Sequence, residues 1–288
     1  MKKSIIPGQV PNKEIHQYLI AAVAPRPIAF VSTLDENGNK NLAPYSFFNV
    51  FSSNPPIAVF SSNRKGSDNT TKDTLHNVKV SGECVINVVS YAIVRQMSLT
   101  SIEFPSGVSE FEKAGLTPEP SVKVKAPRVA ESPVNLECRV KDIITLGDQG
   151  GAGHLIICEI LLISVHESVM TDGSLDQQKL DLMGRLGKNY YVRASGDALI
   201  EISQVVSKIP LGFDGLPSEI TKSRILSGND ISALAALLEL PSAEKLTDFS
   251  KRNPEMILMT TEQKHLKAME WIRNHQADDA ICLLLLKK

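Results

Sequence analysis

Short runs of apolar and β-branched residues, separated by turn-forming polar residues, fill the chain as far as residue 194. The runs that predict β-strands are residues 28–34, 57–61, 84–89, 134–146 and 154–166. Residues 35–39 and the glycine-rich residues 147–151 predict turns between antiparallel strands. Residues 71–80 and 91–100 predict two short helices. Long antiparallel strands with few helices favour a mainly β fold that closes into a barrel, rather than a doubly wound parallel sheet.

Beyond residue 194 the pattern changes, because apolar residues recur there at helical spacing between short polar breaks. Residues 242–253 and 261–274 predict two amphipathic helices. Residues 281–286 form the longest apolar run, with the length of a strand or of one buried helical turn. We therefore predict a barrel domain at residues 1–194 and an α-helical C-terminal extension at residues 195–288. The apolar stripes of the extension need a surface to cover, and we expect the barrel or a second subunit to provide it.

Composition narrows the class of protein. Of 288 residues, 42% are hydrophobic and 22% charged, which is typical of a globular protein with a large core. The formal net charge of -1 gives no attraction to polyanions, so nucleic acid is not an expected partner. Pro7 and Gly8 interrupt the start of the chain, and no apolar run approaches the ~20 residues that span a bilayer, so we expect neither export nor a membrane. The four cysteines lie singly in apolar segments, which predicts buried thiols and a cytoplasmic location.

The most informative stretch is residues 26–74, which contains RPIAFVST at residues 26–33 and NLAPYSFFN at residues 41–49. Asn-Pro-Pro, Ser-Ser and Lys-Asp-Thr follow them. This combination resembles the flavin reductase-like family, which includes flavoredoxin and the flavin:NAD(P)H reductases. The resemblance extends over about residues 10–194. It implies an FMN-binding split β-barrel that works as a homodimer, with FMN near the subunit interface, NADH or NADPH as co-substrate and an electron-acceptor protein as a further partner.

The residues predicted to bind FMN are Arg26, Ser46, Phe47, Phe48, Asn49, Ser61, Ser62, Arg64, Lys72, Asp73 and Thr74. Residues 43–46 are small, hydroxyl-bearing or proline, and such a segment keeps backbone groups open to the polar edge of a flat ring; the alternative is an ordinary strand edge with a bend. The basic side chains and hydroxyls form a cradle for a phosphate. Asp73 is expected to cap or orient the helix start rather than to contact the phosphate, because the carboxylate and the phosphate are both negatively charged. For Arg64 the alternative is a solvated basic loop.

Two further residues are predicted to bind substrate. His154 falls where related flavin reductases carry Gly-Asp-His near the nicotinamide, but here Ala152 and Gly153 precede it; the alternative is a strand-end histidine that only packs. Residues 183–191 resemble the closing element of the family, in which Arg185 meets a phosphate or a pyridine nucleotide. The alternative there is that Tyr190 and Tyr191 are packing residues.

The chain has no recognisable catalytic nucleophile, acid or base, and its histidines lack a second ligand at metal spacing, so we expect neither a catalytic side chain nor a metal. Bound FMN would carry the chemistry. The first hypothesis is an oxidoreductase that transfers hydride between NAD(P)H, flavin and an acceptor. The second is a flavoredoxin-like electron carrier that does not oxidise NAD(P)H itself, and the third is a split barrel that has lost flavin. A compact phosphate cradle favours FMN over FAD, and NADH and NADPH both remain open.

Overall fold

The computed structural model describes residues 2–102, 104–105, 107–202 and 208–287. The chain divides into two compact units, residues 1–200 and 201–288. The first unit contains, in chain order, α1 (Asn12–Ala22), β1 (Ala29–Leu34), β2 (Lys40–Tyr45), β3 (Phe48–Ser53), β4 (Pro56–Ser61), α2 (Asp73–Ser81), β5 (Glu83–Val88), α3 (Val94–Leu99), α4 (Glu110–Ala114), β6 (Pro118–Glu119), β7 (Arg128–Val129), β8 (Val134–Thr145), β9 (His154–Val165), β10 (Met170–Thr171), β11 (Ser174–Leu175), α5 (Gln177–Leu180), β12 (Leu182–Arg185) and β13 (Tyr191–Ala194).

Within the described residues, seven strands form one antiparallel sheet in the order β2-β1-β5-β8-β9-β4-β3. The two edge strands, β2 and β3, follow each other in the chain and are joined only by Ser46 and Phe47. The sheet therefore curls until its two edges meet at this corner. No backbone ladder between β2 and β3 occurs among the described residues. The fold is the predicted split β-barrel, and residues 46–47 lie at its split.

The sequence pattern of each strand explains its position in the barrel. β1 is buried along almost its whole length, as a central strand must be. Its turn is fixed by Asp35, whose Oδ1 accepts the backbone N–H groups of Asn37 and Asn39 at 2.9 and 2.7 Å, while Gly38 adopts φ 82°. β8 and β9 are twelve residues each, and register shifts within their pairing bend them around the barrel.

The apolar side chains of these strands fill the barrel interior. Phe60, Cys84, Ile86, Cys138 and Ile156 lie in this core, and α2 closes one end with Leu75 and Val78. A second cluster packs α3 and α4 against the other face of β1. The four cysteines are free and buried, as predicted.

The C-terminal unit is helical, as expected for the extension. It contains α6 (Ser218–Thr221), α7 (Gly228–Ala235), α8 (Ala243–Arg252), α9 (Thr261–Arg273) and α10 (Ala277–Leu285). Capping boxes begin α7 and α9. Residues 281–286 fall mostly in α10, so the helical alternative for this run is correct.

The apolar stripes of this unit have their own core. Ile220, Leu234, Ala268 and Ile281 are buried together, and Phe249 packs with Leu283 in an adjacent cluster. Helices of the same unit therefore cover one another's apolar stripes, and packing of the extension on the barrel or on a second subunit stays a prediction. In the described part of the chain no helix is both long enough and apolar enough to span a membrane.

Candidate functional site

The corner between β2 and β3 is held by the side chain of Arg26. Its Nη1 donates to the carbonyl oxygens of Ile20 and Val23 at 2.5 and 2.6 Å, and its Nη2 donates to Leu186 O at 3.2 Å. Its Nε lies 3.4 Å from Ser46 Oγ. Burial, followed by the positive charge of Arg185, lowers the pKa of Arg26. This predicted phosphate ligand is thus nearly buried and bonded mainly to backbone oxygens.

A cleft of about 270 Å³ opens beside this corner, and we call it the cation cleft. His16, Arg26, Lys72 and Arg185 line it, and no carboxylate among the described residues does. Ser46, Ser61 and Asn63 contribute polar groups. Such a lining favours an anionic ligand, since the field of like charges adds within a concave surface.

A second cleft of about 410 Å³ adjoins the first, and we call it the aromatic cleft. Phe47, Phe48 and Phe51 form one side, and Leu146 and Leu155 form the other. The two clefts share Phe47, Ser61 and Asn63, and Asn49 also lines the aromatic one. One continuous surface therefore offers positive charge at one end and apolar and aromatic groups at the other.

Two buried hydroxyls beside the cation cleft have no partner in the part of the chain that the structure describes. Tyr45 Oη and Ser62 Oγ make no hydrogen bond there, although the two residues are 5% and 1% exposed. Burial raises the pKa of Tyr45 to about 12, and the nearby hydroxyls of Thr74 and Ser62 lower the pKa in part without reaching hydrogen-bond geometry. A buried hydroxyl without a partner costs about 1–3 kcal/mol. The region is thus poised to pair with water or with a ligand.

The Lys-Asp-Thr segment begins α2 with each residue in a different setting. Lys72 lines the cation cleft, and its Nζ lies 5.2 Å from the centre of the Tyr45 ring. Asp73 is exposed at the start of the helix. Thr74 is 1% exposed, and its Oγ1 accepts from Asn41 Nδ2 at 2.9 Å. Of the three, Lys72 is the residue whose side chain faces the cleft.

The segment after β4 is tied to the start of β9. Ser61 Oγ donates to Asn63 Oδ1 at 2.8 Å, and a Cβ at Gly153 would lie only 2.6 Å from Ser61 Oγ. Gly153 therefore permits the close approach that shapes the shared wall of the two clefts. Arg64 Nε and Nη2 donate to Asn69 at 2.7 and 2.6 Å, so this arginine holds its own loop.

His154 is buried at the first position of β9. Its backbone exchanges two hydrogen bonds of 3.1 Å with Ser62, and its Nδ1 lies 3.0 Å from Ser62 O. Since a carbonyl only accepts, Nδ1 carries the proton. With 2% of the residue exposed, His154 occupies the setting of the packed strand-end histidine.

Arg185 comes from the far end of the first unit. β12 joins the corner through reciprocal backbone hydrogen bonds between Arg185 and Arg26. The guanidinium of Arg185 lies 4.5 Å from the centre of the Tyr191 ring, and its Nη1 donates to Tyr190 O at 3.0 Å. The tyrosines thus pack and also orient an arginine that lines the cleft.

The structure brings Arg26, Ser46, Phe47, Ser61, Lys72 and Arg185 to the cation cleft and Phe48 and Asn49 to its aromatic neighbour. The predicted residues that line neither cleft are Ser62, Arg64, Asp73, Thr74 and His154. Sequence reasoning missed His16 and Tyr45. Tyr45 sits inside the informative motif, so its signal was present. No sequence signal marked His16, because its place at the cleft depends on how α1 packs against the β2–β3 corner.

Comparison with known proteins agrees with this architecture. The family model "Flavin reductase like domain" matches residues 22–179, and the chain therefore belongs to the flavin reductase-like family. An uncharacterized protein of Aquifex aeolicus is 42% identical over 190 residues, covering 65% of this chain and 94% of its own.

Two solved structures are similar to the first unit. Nitrilotriacetate monooxygenase component B from Bacillus cereus is 30% identical with a TM-score of 0.66, covering 70% of this chain and 99% of that one. The 2-nitrobenzoate 2-nitroreductase of Pseudomonas fluorescens is 27% identical with a TM-score of 0.62, covering 71% and 98%. Both matches span nearly the whole of the other protein, so the helical unit is additional to that shared domain.

Proposed function

We propose that this chain binds FMN at the split of the barrel and acts as an oxidoreductase that transfers hydride between NADH or NADPH, the flavin and an acceptor. The observation that carries the proposal is the pair of adjoining clefts, one cationic and one aromatic, at the β2–β3 corner. FMN has the same division, with a phosphate at one end and a flat ring system at the other. Family membership and the monooxygenase component and nitroreductase among similar structures support the same reading.

The phosphate is proposed to lie at the Lys72 side of the cation cleft. Lys72 supplies the charge, and the start of α2 supplies backbone N–H groups and the positive end of a helix dipole. A smaller cavity on the other side of Lys72 also contains basic groups, but Asp73 and Glu110 line it. The carboxylates make that cavity the poorer site for an anion.

The ring system is proposed to lie against the aromatic cleft. Phe47 and Phe48 offer faces and edges for packing, and the bend at residues 46–47 offers backbone polar groups. Ser46 and Asn49 supply side-chain donors and acceptors on either side of these rings. Tyr45 and Ser62 lie beneath the cation cleft, where their unpartnered hydroxyls fit a polar ligand or its bound water.

Bound FMN supplies the hydride acceptor and donor. The chain's own residues then need only bind, orient and shield, because hydride transfer requires close approach rather than a side-chain acid or base. The absence of a recognisable nucleophile in the sequence is consistent with such a division of labour.

An electron carrier that does not oxidise NAD(P)H is the second candidate, and one observation favours it. His154, the residue predicted to contact nicotinamide, is buried and bonded to Ser62. A carrier would need the flavin site but not a nicotinamide contact, and its acceptor would be a protein partner.

Assembly and location are also proposals. A homodimer is supported by apolar side chains exposed beside the corner, including Val50 and Phe51 of the edge strand β3, at 55% and 69%. A cytoplasmic location is supported by four cysteines that are free and buried. The domain boundary after residue 194 is proposed on the end of β13 at Ala194.

The test is an anaerobic absorption spectrum of the full chain after loading with FMN, recorded before and after NADPH or NADH is added. Prompt bleaching of the visible flavin bands is expected for the oxidoreductase. Bands that persist until dithionite is added would favour the carrier. A chain that takes up neither FMN nor FAD would overturn both. Lys72→Ala should weaken flavin binding, whereas Lys79→Ala, a matched exposed position on the same helix, should not.

A further inference from the structure

Among the described residues that line the cation cleft, His16 is of the type that exchanges a proton near neutral pH. Histidine gains and loses a proton in this range, whereas arginine and lysine side chains ordinarily stay protonated. The phenol of Tyr45 keeps its proton as well, because burial raises its pKa to about 12. His16 is therefore the group of this site that is suited to hand over a proton.

The face of α1 that carries His16 is held at the cleft from outside the helix. His16 and Ile20 lie four residues apart, on one face of the helix, and both line the cleft. Arg26 donates to the carbonyl oxygen of Ile20. A Cβ at Gly187 would lie 3.1 Å from Ala21, so the missing side chain there lets α1 approach. His16 thus has a defined place, although α1 buries none of its residues fully.

The imidazole of His16 lies beside the proposed place of the flavin ring. Its centre is 6.2 Å from that of Phe47, a residue that lines both clefts. In the part of the chain that the structure describes, no group is hydrogen-bonded to either of its ring nitrogens. Nε2, the nitrogen farther from the helix backbone, is therefore available to a ligand in the cleft.

The charged groups that share the cleft with His16 are positive. They are Arg26 ahead of β1, Lys72 at the start of α2 and Arg185 at the end of β12. The charged residues 13 and 14 of α1 line a different cavity. Since no carboxylate among the described residues lines the cleft, a proton that leaves His16 passes to a ligand or to water.

Electron acceptors differ in whether their reduction consumes a proton. A one-electron metal centre takes an electron alone. A quinone takes two electrons and two protons, of which one arrives with the hydride and the other must come from an acid. General acid catalysis by a positioned side chain speeds such a step. Phe51, which lines the aromatic cleft and is 69% exposed, offers packing to a flat organic acceptor of this kind.

We propose that His16 is the proton donor for an organic acceptor of the quinone class that is reduced at the two clefts. The inference rests on the proposed function, whose acceptor it addresses, and it adds a side-chain role that the sequence did not predict. The hydride, with its two electrons, passes from the reduced flavin to one quinone oxygen. Nε2–H of the His16 imidazolium gives a proton to the other oxygen. The quinone leaves as hydroquinone, the flavin is oxidised, and water returns a proton to His16.

The test uses the full chain loaded with FMN and reduced by titration with dithionite, so that it does not depend on NAD(P)H. The reduced protein is mixed rapidly with menadione, a quinone, or with ferricyanide, a one-electron acceptor that takes no proton. His16→Gln removes the acid. His16→Arg keeps a positive charge and N–H donors but does not release its proton near neutral pH. His76→Gln is the matched control, because His76 is exposed on α2 and lines neither cleft.

We expect both His16 variants to be reoxidised by menadione about tenfold or more slowly than wild type near pH ~6, because general acid catalysis is lost. Reoxidation by ferricyanide should keep its wild-type rate. The menadione rate of wild type should fall as pH rises from about 6 to 8, the range in which histidine loses its proton. That fall should be absent from both variants, and His76→Gln should follow wild type throughout.

A second readout needs no turnover. The imidazole resonance of His16, assigned by its absence from the spectrum of His16→Gln, should titrate with pH in the FMN-free chain. It should also shift when FMN is added, because the flavin ring would lie beside it. The resonance of His76 should not shift.

Equal menadione rates in His16→Gln and wild type would overturn the inference. A wild-type menadione rate in His16→Arg would do the same, because His16 would then act as a fixed charge, and so would an imidazole resonance that FMN leaves in place. Failure of the proposed function has a different signature. In that case NADPH would not bleach the flavin of the wild type, while the dithionite-reduced protein would still reduce menadione in a manner that depends on His16.

Discussion

Arg26 and Arg185 face each other across a backbone bridge, with Arg26 N donating to Arg185 O at 2.9 Å and Arg185 N donating to Arg26 O at 2.8 Å. The bridge joins the start of the barrel to its last hairpin. The two side chains then part, since Arg26 turns to the carbonyls of Ile20 and Val23 while Arg185 stacks on Tyr191. One arginine supports the cleft and the other lines it.

The first prediction concerns Arg26→Lys. A lysine keeps the charge but lacks the planar fork, so it cannot donate to Ile20 O, Val23 O and Leu186 O together. We expect a loss of roughly 1.5–3 kcal/mol in the free energy of unfolding, the range for a buried charged hydrogen-bond group. Urea unfolding of the FMN-free chain measures the loss. Hydrogen exchange in residues 12–22 should accelerate as α1 loosens.

Arg139→Lys is the control, because Arg139 is exposed on β8 and pairs with Glu159 at the surface. That change should cost less than about 1 kcal/mol. Unchanged stability in Arg26→Lys together with weaker FMN binding would reverse the assignment and return Arg26 to the phosphate.

Five strands of the barrel sheet, β1, β4, β5, β8 and β9, were predictable because their signal is local, whereas the edge strands β2 and β3 were not predicted. β1 ends at Leu34, where Asp35 and Gly38 specify the turn, and alternation or a continuous apolar run is legible without knowledge of the partner strand. α1 was missed because it buries none of its residues fully, so no apolar face marks it as a core helix. Its position depends on Arg26, which lies outside the helix.

The candidate site was predictable in composition but not in geometry. The motif around residues 41–49 correctly predicted that the candidate site lies at the corner between β2 and β3. Whether a polar side chain faces the cleft depends, however, on the partners that the fold brings to it, and these lie both near and far along the chain. The side chain of Arg64 is hydrogen-bonded to Asn69, and that of His154 to the carbonyl of Ser62, which is 92 positions earlier. Nothing local distinguishes them from Lys72.

The second prediction separates Lys72 from Thr74. Lys72→Ala should weaken FMN binding by roughly 1–3 kcal/mol with little effect on unfolding, since the side chain lines the cleft. Thr74→Val should do the reverse, because its buried Oγ1 accepts from Asn41. Its loss should lower the free energy of unfolding by about 1–2 kcal/mol. Fluorescence titration with FMN and urea unfolding measure the two effects.

Thr117→Val provides a background value for the same change at an exposed position of the first unit. If Thr74→Val weakened FMN binding as strongly as Lys72→Ala while stability held, Thr74 would belong to the ligand site. Equal FMN affinity in Lys72→Ala and wild type would move the phosphate elsewhere in the cleft.

The third prediction concerns Asp230 in the helical unit. Its carboxylate accepts from Ser227 N at 2.8 Å and from Arg273, while the residue is 4% exposed. Burial acts to raise the pKa of Asp230, but the hydrogen bonds from Arg273 and Ser227 outweigh it and lower the pKa below the ordinary value. Its stabilising effect is therefore present above the pKa of the unfolded chain and is lost as pH falls through the folded value.

Asp230→Asn should speed hydrogen exchange in residues 228–235 and 261–273 at pH 7, with a loss of roughly 1–3 kcal/mol in the free energy of local unfolding. Near pH 3 the difference from wild type should shrink, because wild-type Asp230 is then increasingly protonated in the unfolded state. Asp248→Asn, at an exposed carboxylate on α8, is the control. A difference that persists undiminished at low pH would show that packing, not charge, is responsible.

The fourth prediction concerns the phenol of Tyr45, which has no hydrogen-bond partner among the described residues and a pKa raised by burial to about 12. An unfolded tyrosine ionises near pH ~10, so above that pH the unfolded state releases its proton while the folded state keeps it. The free energy of unfolding therefore falls as pH rises from about 10 to 12, by roughly 2–3 kcal/mol in full. Tyr45→Phe removes this contribution.

Urea unfolding of the FMN-free chain at pH 8.5 and pH 11 measures the contribution as a difference between proteins. Wild type should lose about 1 kcal/mol more than Tyr45→Phe between these two conditions. At pH 8.5 Tyr45→Phe should be as stable as wild type or slightly more so, since it removes a buried hydroxyl that lacks a partner. Tyr190→Phe, at a residue that is 68% exposed, should follow wild type. If Tyr45→Phe were instead less stable at pH 8.5 and lost as much as wild type at pH 11, Oη must be hydrogen-bonded in the ligand-free protein, and an ordered water would be its partner.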